Sequence, residues 1–267
     1  MSGAQDISWF SLGYCLLLVV IPLAVSWYLR LKLSKEIIVS VIRMITQLFL
    51  VGIFLVYIFD LDNLWLTFAW LMMMVLFATH SVISKSKLCW RCFLFPTMLS
   101  FAVATVTVLL YFNGLVIRLD NIFEAKYIIA LAGMLLGNSL RGNIIGVNSF
   151  YDRIRRNENR YLYRLSAGAT KFEACLPYIR QGLKDAILPM TATVATMGIV
   201  ALPGMMTGQI LGGSSPMVAI KYQIAIMIAI LAAMTISITM SLALTIRNNF
   251  DPYGRLRKEV FRDSKDR

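Results

Sequence analysis

Apolar residues run along this chain in long blocks separated by short polar connections. Seven blocks stand out, over residues 8–29, 37–59, 64–83, 93–117, 127–147, 186–203 and 218–246. Each is near the roughly 20 residues that a helix needs to cross the hydrocarbon core of a bilayer. The sixth is short and ends at Pro203. The pattern predicts an all-α integral membrane protein of about seven transmembrane helices, forming one membrane domain over residues 1–267. The first block follows a single charge, Asp6, with no basic region before it and no small-residue cleavage site after it. It therefore reads as a retained helix, not a signal peptide.

The charges fall on alternate connections. One set carries Arg30, Lys32 and Lys35, then Lys85, Lys87 and Arg91, the Arg-rich stretch 151–185 and the tail from Arg247. The other carries Asp6, Asp60, Asp62, Asp120 and Glu124 against only Arg118, Lys126 and Lys221. Short loops rich in Lys and Arg stay cytoplasmic. The alternation predicts an N-terminus outside and a C-terminus in the cytoplasm. The net charge of +12 is thus a topology signal facing lipid head groups, not a nucleic-acid footprint. A hydrophobic content of 58% and a mean hydropathy of +0.71 agree with a membrane protein.

Residues 203–213, PGMMTGQILGG, lie between two apolar blocks and hold four glycines, one proline and no charge. Glycine disfavours a helix by about 1 kcal/mol and proline by about 3. The composition predicts that the helix breaks here. Two readings stay open: a segment lining a watery path, as broken helices do at transport sites, or a plain extramembrane turn. Met205 and Met206 are the thioether candidates beside it, with packing as the plainer role. Met72, Met73 and Met74 are consecutive and point around their helix, so they cannot converge on one ion.

Between the fifth and sixth blocks, Arg153, Arg156, Arg160 and Arg164 recur at helical spacing. Gly168 interrupts, and Thr170-Lys171-Phe172-Glu173 fits a capping box that starts a new helix. Pro177 and Gly182 are expected to limit or bend that helix. The stretch 148–185 serves either as a solvated basic loop beside anionic lipid or as a docking element for a cytoplasmic partner.

Inside the spans, Arg43 and Gln47 share one helix face, and Arg43 lies close enough to the inner end to reach the head groups. Gly137, Asn138, Arg141, Gly142 and Asn143 form a polar inner end to the fifth span, where small residues permit close packing. Cys89 and Cys92 make a C-x-x-C pair in a connection expected to be reducing, without further ligands beside it. His80 is the one histidine of the chain. No nucleotide-binding loop of the G-x-x-x-x-G-K-[ST] type is present. Nor does any nucleophile–base spacing suggest an enzyme. The spans hold no acids, which counts against an ion-coupled secondary transporter.

Together these residues resemble the permease subunits of the FetB-like family of ABC transporters. The matching pieces begin with Arg43-x-x-x-Gln47-Leu48-x-x-x-Gly52, Tyr57-Ile58-Phe59 and Gly137-Asn138. They continue with Gly168-Ala169-Thr170-x-x-Glu173-Ala174-x-x-Pro177-x-x-Arg180, then LPGMMTGQILGG from Leu202, Pro216 and Lys221-Tyr222-Gln223-Ile224. The resemblance covers nearly the whole chain. One departure is that the first proline follows the loop glycine sooner than in ABC importers.

The resemblance implies a homodimer bound to two copies of a separate ABC ATPase subunit. ATP and Mg²⁺ would sit on that subunit, and this chain would bind no cofactor itself. Arg164, Gly168, Ala169, Thr170, Glu173, Pro177 and Arg180 would form the ATPase-coupling loop. Read from the residues themselves, the candidate pathway positions are Arg43, Gln47, Asn138, Pro203, Gly204, Met205, Met206, Thr207, Gly208 and Gln209. Iron export is the bacterial association of the family, and plant relatives are linked to aluminium tolerance. The residues themselves assign no metal ligands. An organic or sugar-nucleotide cargo, or a non-transporting scaffold, are the alternatives.

Overall fold

The computed structural model describes residues 7–86, 88–200, 202–251, 253–257 and 260. Asp6, Lys87 and the tail beyond 260 lie outside them. Ten α-helices follow one another among these residues: α1 (Trp9–Leu17), α2 (Val20–Tyr28), α3 (Ser34–Leu61), α4 (Leu64–Ser86), α5 (Trp90–Tyr111), α6 (Ala125–Arg156), α7 (Glu158–Ser166), α8 (Lys171–Thr196), α9 (Gly204–Leu211) and α10 (Pro216–Asn249). A short π-helical turn, Phe112–Ile117, extends α5.

Six stretches are long and apolar enough to cross a bilayer: Phe10–Tyr28, Ser34–Leu61, Leu64–Ser86, Trp90–Ile117, Ala125–Arg156 and Pro216–Asn249. The block expected at 186–203 is not a helix of its own. Its first part is the far end of α8, which begins at Lys171 and ends at Thr196, and the chain then turns at Gly198 with φ +88°.

Pro177 and Gly182 do not limit α8, contrary to the expectation from sequence. Pro177 lies on the exposed face, where solvent can reach the carbonyl that its missing N–H leaves unbonded. Gly182 is a contact point. A Cβ placed on it would come within 2.9 Å of the Gly146 carbonyl oxygen of α6, so the two backbones nearly touch. Helices approach this closely only through small residues.

The centre of the bundle is α10 packed along α5 and α6, with α4 against α5 and α6, and α8 against α6. Gly142 and Gly146 let Met234 and Ile238 of α10 lie directly on α6. The largest buried cluster sits at the end of the bundle where α7 and the C-terminal residues meet. It includes Phe93, Phe150, Tyr151, Tyr161, Cys175 and Val260. The first three helices stay peripheral. None of the most apolar 18-residue window of α3 is buried, and its far end touches the bundle through Ile58, which packs with Ala125 and Ile129.

Candidate functional site

The basic stretch forms an elbow. α6 ends at Arg156, Asn157 leaves helical geometry at φ −118°, and α7 follows. The four arginines expected on one helix therefore divide between two. α7 stops at Gly168, whose φ of +90° suits a residue without Cβ. The Ala169 N–H donates to the Arg164 carbonyl and the Gly168 N–H to that of Leu165, closing a Schellman turn.

Thr170 then caps α8. Its backbone N–H donates to the Glu173 carboxylate at 2.8 Å, and the Glu173 N–H donates to the Thr170 hydroxyl at 3.3 Å. The capping box read from the sequence is present. The Thr170 hydroxyl, followed by its backbone N–H, holds the Glu173 carboxyl below the usual range. Past the cap, α8 is two-faced. Ala174, Cys175, Tyr178 and Gly182 are buried, while Phe172, Glu173, Pro177 and Arg180 are exposed.

A clamp that sequence reading missed holds the elbow to the bundle. Asp185 of α8 accepts from the Ser149 hydroxyl at 2.6 Å, Gln181 Nε2 at 2.8 Å and Arg153 Nη2 at 3.1 Å. The Ser149 bond leads in keeping this carboxyl below its ordinary value, opposed by partial burial and helped by Gln181 and Arg153. The visible signal was a lone acid just before an apolar run. Also missed were two exposed aromatic side chains flanking the turn, Tyr163 at 75% and Phe172 at 62% exposure. Tyr163 stands between Arg160 and Arg164, and Phe172 between Lys171 and Glu173; exposed aromatics of this kind are enriched where proteins meet.

At the other end of α8, the glycine-rich stretch forms a short helix of its own, α9, so the expected break falls on either side of it. Pro203 is its N-cap, and Gly213 takes φ +96° just past its end. The Ser214 N–H donates to the Gln209 carbonyl and the Gly213 N–H to that of Ile210. Pro203 and Gly204 open it and Gly212 and Gly213 close it, while Gly208 lies inside it. Pro203, Gly204, Met205, Met206, Thr207, Gly208 and Gln209 thus share one short rod beside α10. Met205 packs against the bundle core, and the Thr207 hydroxyl donates to the Pro203 carbonyl.

Two buried amide oxygens here, Gln209 Oε1 and Gln223 Oε1, have no hydrogen-bond partner. Gln223 Nε2 donates weakly to Met197 Sδ at 3.8 Å. An unpaired polar atom in an apolar setting is unfavourable by about 1–3 kcal/mol, so each oxygen lacks a partner that this packing does not supply.

The remaining pathway candidates stand apart from α9. Asn138 donates to the Met134 carbonyl of its own helix. Arg43 and Gln47 are exposed on α3, which packs against α2 and α6. His80 stacks edge-on to Trp90, with centroids 5.0 Å apart, the interface role that a single histidine suggests. Among the described residues no three His, Cys, Asp or Glu side chains converge as a metal site.

The family model described as "Uncharacterised protein family (UPF0014)" matches residues 9–250. The chain is 33% identical over 224 residues to "Probable iron export permease protein FetB" of Escherichia coli (strain K12), covering 84% of this chain and 85% of the relative. It is 30% identical over 253 residues to "UPF0014 membrane protein slr1647" of Synechocystis sp. (strain ATCC 27184 / PCC 6803 / Kazusa), covering 94% and 97%. It is 33% identical over 213 residues to "Protein ALUMINUM SENSITIVE 3" of Arabidopsis thaliana, covering 79% and 76%. No solved structure matches.

Proposed function

The chain belongs to the UPF0014 family of membrane proteins, and from that premise we propose that it is the permease subunit of an ATP-driven ABC transporter. Its cargo is iron or a related metal ion moved outward across the cytoplasmic membrane, as the name of the Escherichia coli relative suggests. The elbow carries this reading. Its capped, clamped turn presents Thr170, Phe172 and Arg180 outward with Arg164 and Ala169 half-buried beside them, on a chain without a nucleotide loop of its own. ATP and Mg²⁺ belong to a separate ATPase subunit that docks there from the cytoplasm. Because α8 runs unbroken from the cap to Thr196, a push on the elbow reaches the α9 end as a rod displacement of one helix.

The functional unit is a homodimer. Among the described residues Arg43 and Gln47 have no hydrogen-bond or ion-pair partner; Arg43 lies close enough to the inner end to reach the head groups, but lipid tails do not satisfy Gln47. A second copy across α3 gives them a protein or water-lined surface. Substrate contacts come from neutral oxygens, Gln209 and Gln223, which suit a hard cation.

An anionic solute is the second reading, favoured by the cationic Arg43 and the lack of a converging acidic cluster among the described residues. Inside-out vesicles carrying the chain and its ATPase separate the two. ATP-dependent accumulation of radioactive iron is expected. Hydrolysis of ATP with no iron accumulated would contradict the metal cargo.

A further inference from the structure

The residues after α10 form a hairpin that the permease reading leaves unused. Phe250 and Leu256 pair in an antiparallel bridge. The Arg257 N–H donates to the Asn249 carbonyl at 3.1 Å, and Asp251 Oδ1 accepts from the Arg255 N–H at 2.6 Å. A short tail ending in solvent needs none of these bonds.

The hairpin is fastened to separate elements. On α7, the Tyr161 hydroxyl donates to the Gly254 carbonyl at 2.6 Å, and its ring lies 5.9 Å from that of Phe250. In the α4–α5 connection, the Cys89 N–H donates to the Val260 carbonyl at 2.9 Å. Val260 is fully buried in the same cluster as Leu88, Phe93 and Tyr161. At the end of α10, Asn249 Nδ2 donates to the Tyr151 hydroxyl of α6 at 3.0 Å.

Tyr161 is the common point. It is 1% exposed, bonds the tail, and takes the Cys175 thiol of α8 at 3.9 Å. Burial holds its proton firmly by pushing its pKa up, so the hydroxyl stays a donor throughout the physiological range. Among the helices, α7 packs most closely on α6 and α8. The hairpin therefore adds a connection from the elbow to the inner ends of α5 and α10, the pair at the bundle centre.

We propose that the paired residues Phe250–Asp251 and Tyr253–Arg257, together with Val260, act as a strap, with Tyr161 as its positioning residue, that carries displacement of the elbow to α10 and to the α4–α5 connection. This rests on the permease reading, because it assigns the displacement to a docked ATPase. A close-packed, hydrogen-bonded link transmits small shifts because packed cores deform little.

The test uses the full chain with Tyr161→Phe, and a second variant stopped after Arg257 that spares the Tyr161 bond but removes Val260. Hydrogen exchange on the purified chain needs no ATPase. In Tyr161→Phe, protection at amides of 250–256 is expected to fall about fivefold to tenfold, the change that one lost hydrogen bond gives. In the truncated chain the loss is expected at 88–92. Unchanged protection in both would overturn the link. In the complex, Tyr161→Phe is expected to keep ATPase binding and hydrolysis while iron moved per ATP falls about fivefold. Full transport per ATP would overturn the strap's role but leave the permease reading intact. A wild-type chain that binds no ATPase would sink the permease reading, and the strap's purpose with it.

Discussion

The carbonyl oxygen of Gly146 lies 2.9 Å from where a Cβ on Gly182 would sit. This contact sets the spacing between α6 and α8, and so the position of the whole elbow rod. Gly182→Ala is expected to destabilise the protein by about 1–3 kcal/mol, because backbone, not a flexible side chain, opposes the added methyl. Gly208→Ala in α9 meets nothing within 4 Å and is expected to be neutral or slightly stabilising. Thermal unfolding in detergent checks both. With stability kept, any transport defect of Gly208→Ala reports on the pathway.

The elbow was the most legible part of the chain. Thr170 and Glu173 announce a helix start through side-chain chemistry that depends on local spacing alone, and Gly168 marks the turn. The continuity of α8 was hidden because Pro177 and Gly182 carry the same letters whether they break a helix or serve it. Burial decides, and burial is a tertiary fact. Pro203 and Gly213 misled for the same reason: they bound α9 instead of dissolving it. The hairpin pairing Phe250 with Leu256 was invisible, since its polar sequence has no periodicity and the bonds of Gly254 and Val260 go to Tyr161 and Cys89, far away in the chain.

The capping box should respond to mutation and to pH. Thr170→Ala is expected to weaken the start of α8 by about 1 kcal/mol. Glu173 has its carboxyl lowered by the Thr170 bonds. Its stabilisation is therefore complete above the ordinary glutamate value of about 4.3 and is lost as pH falls through the lower folded value. Hydrogen exchange at Glu173 and Ala174, measured from neutral to acid, should show opening only at the acid end. Glu173→Gln should flatten that profile.

Gln223 separates packing from transport. It is 6% exposed with its Oε1 unpaired. Gln223→Leu removes a buried, unsatisfied carbonyl and is expected to hold or raise stability. If that oxygen meets the cargo, transport should fall about tenfold or more. Unfolding temperature and vesicle uptake measured on the same preparation check this. A fall in both would assign Gln223 to packing.

The most direct test of the central claim is purification of the tagged chain in mild detergent, followed by an ATPase assay with and without ferrous iron. The account predicts a co-purifying ATPase that carries a phosphate-binding loop and whose turnover responds to iron. The contradicting result is a chain that brings no ATPase with it, although crosslinking shows that its complexes survive the detergent.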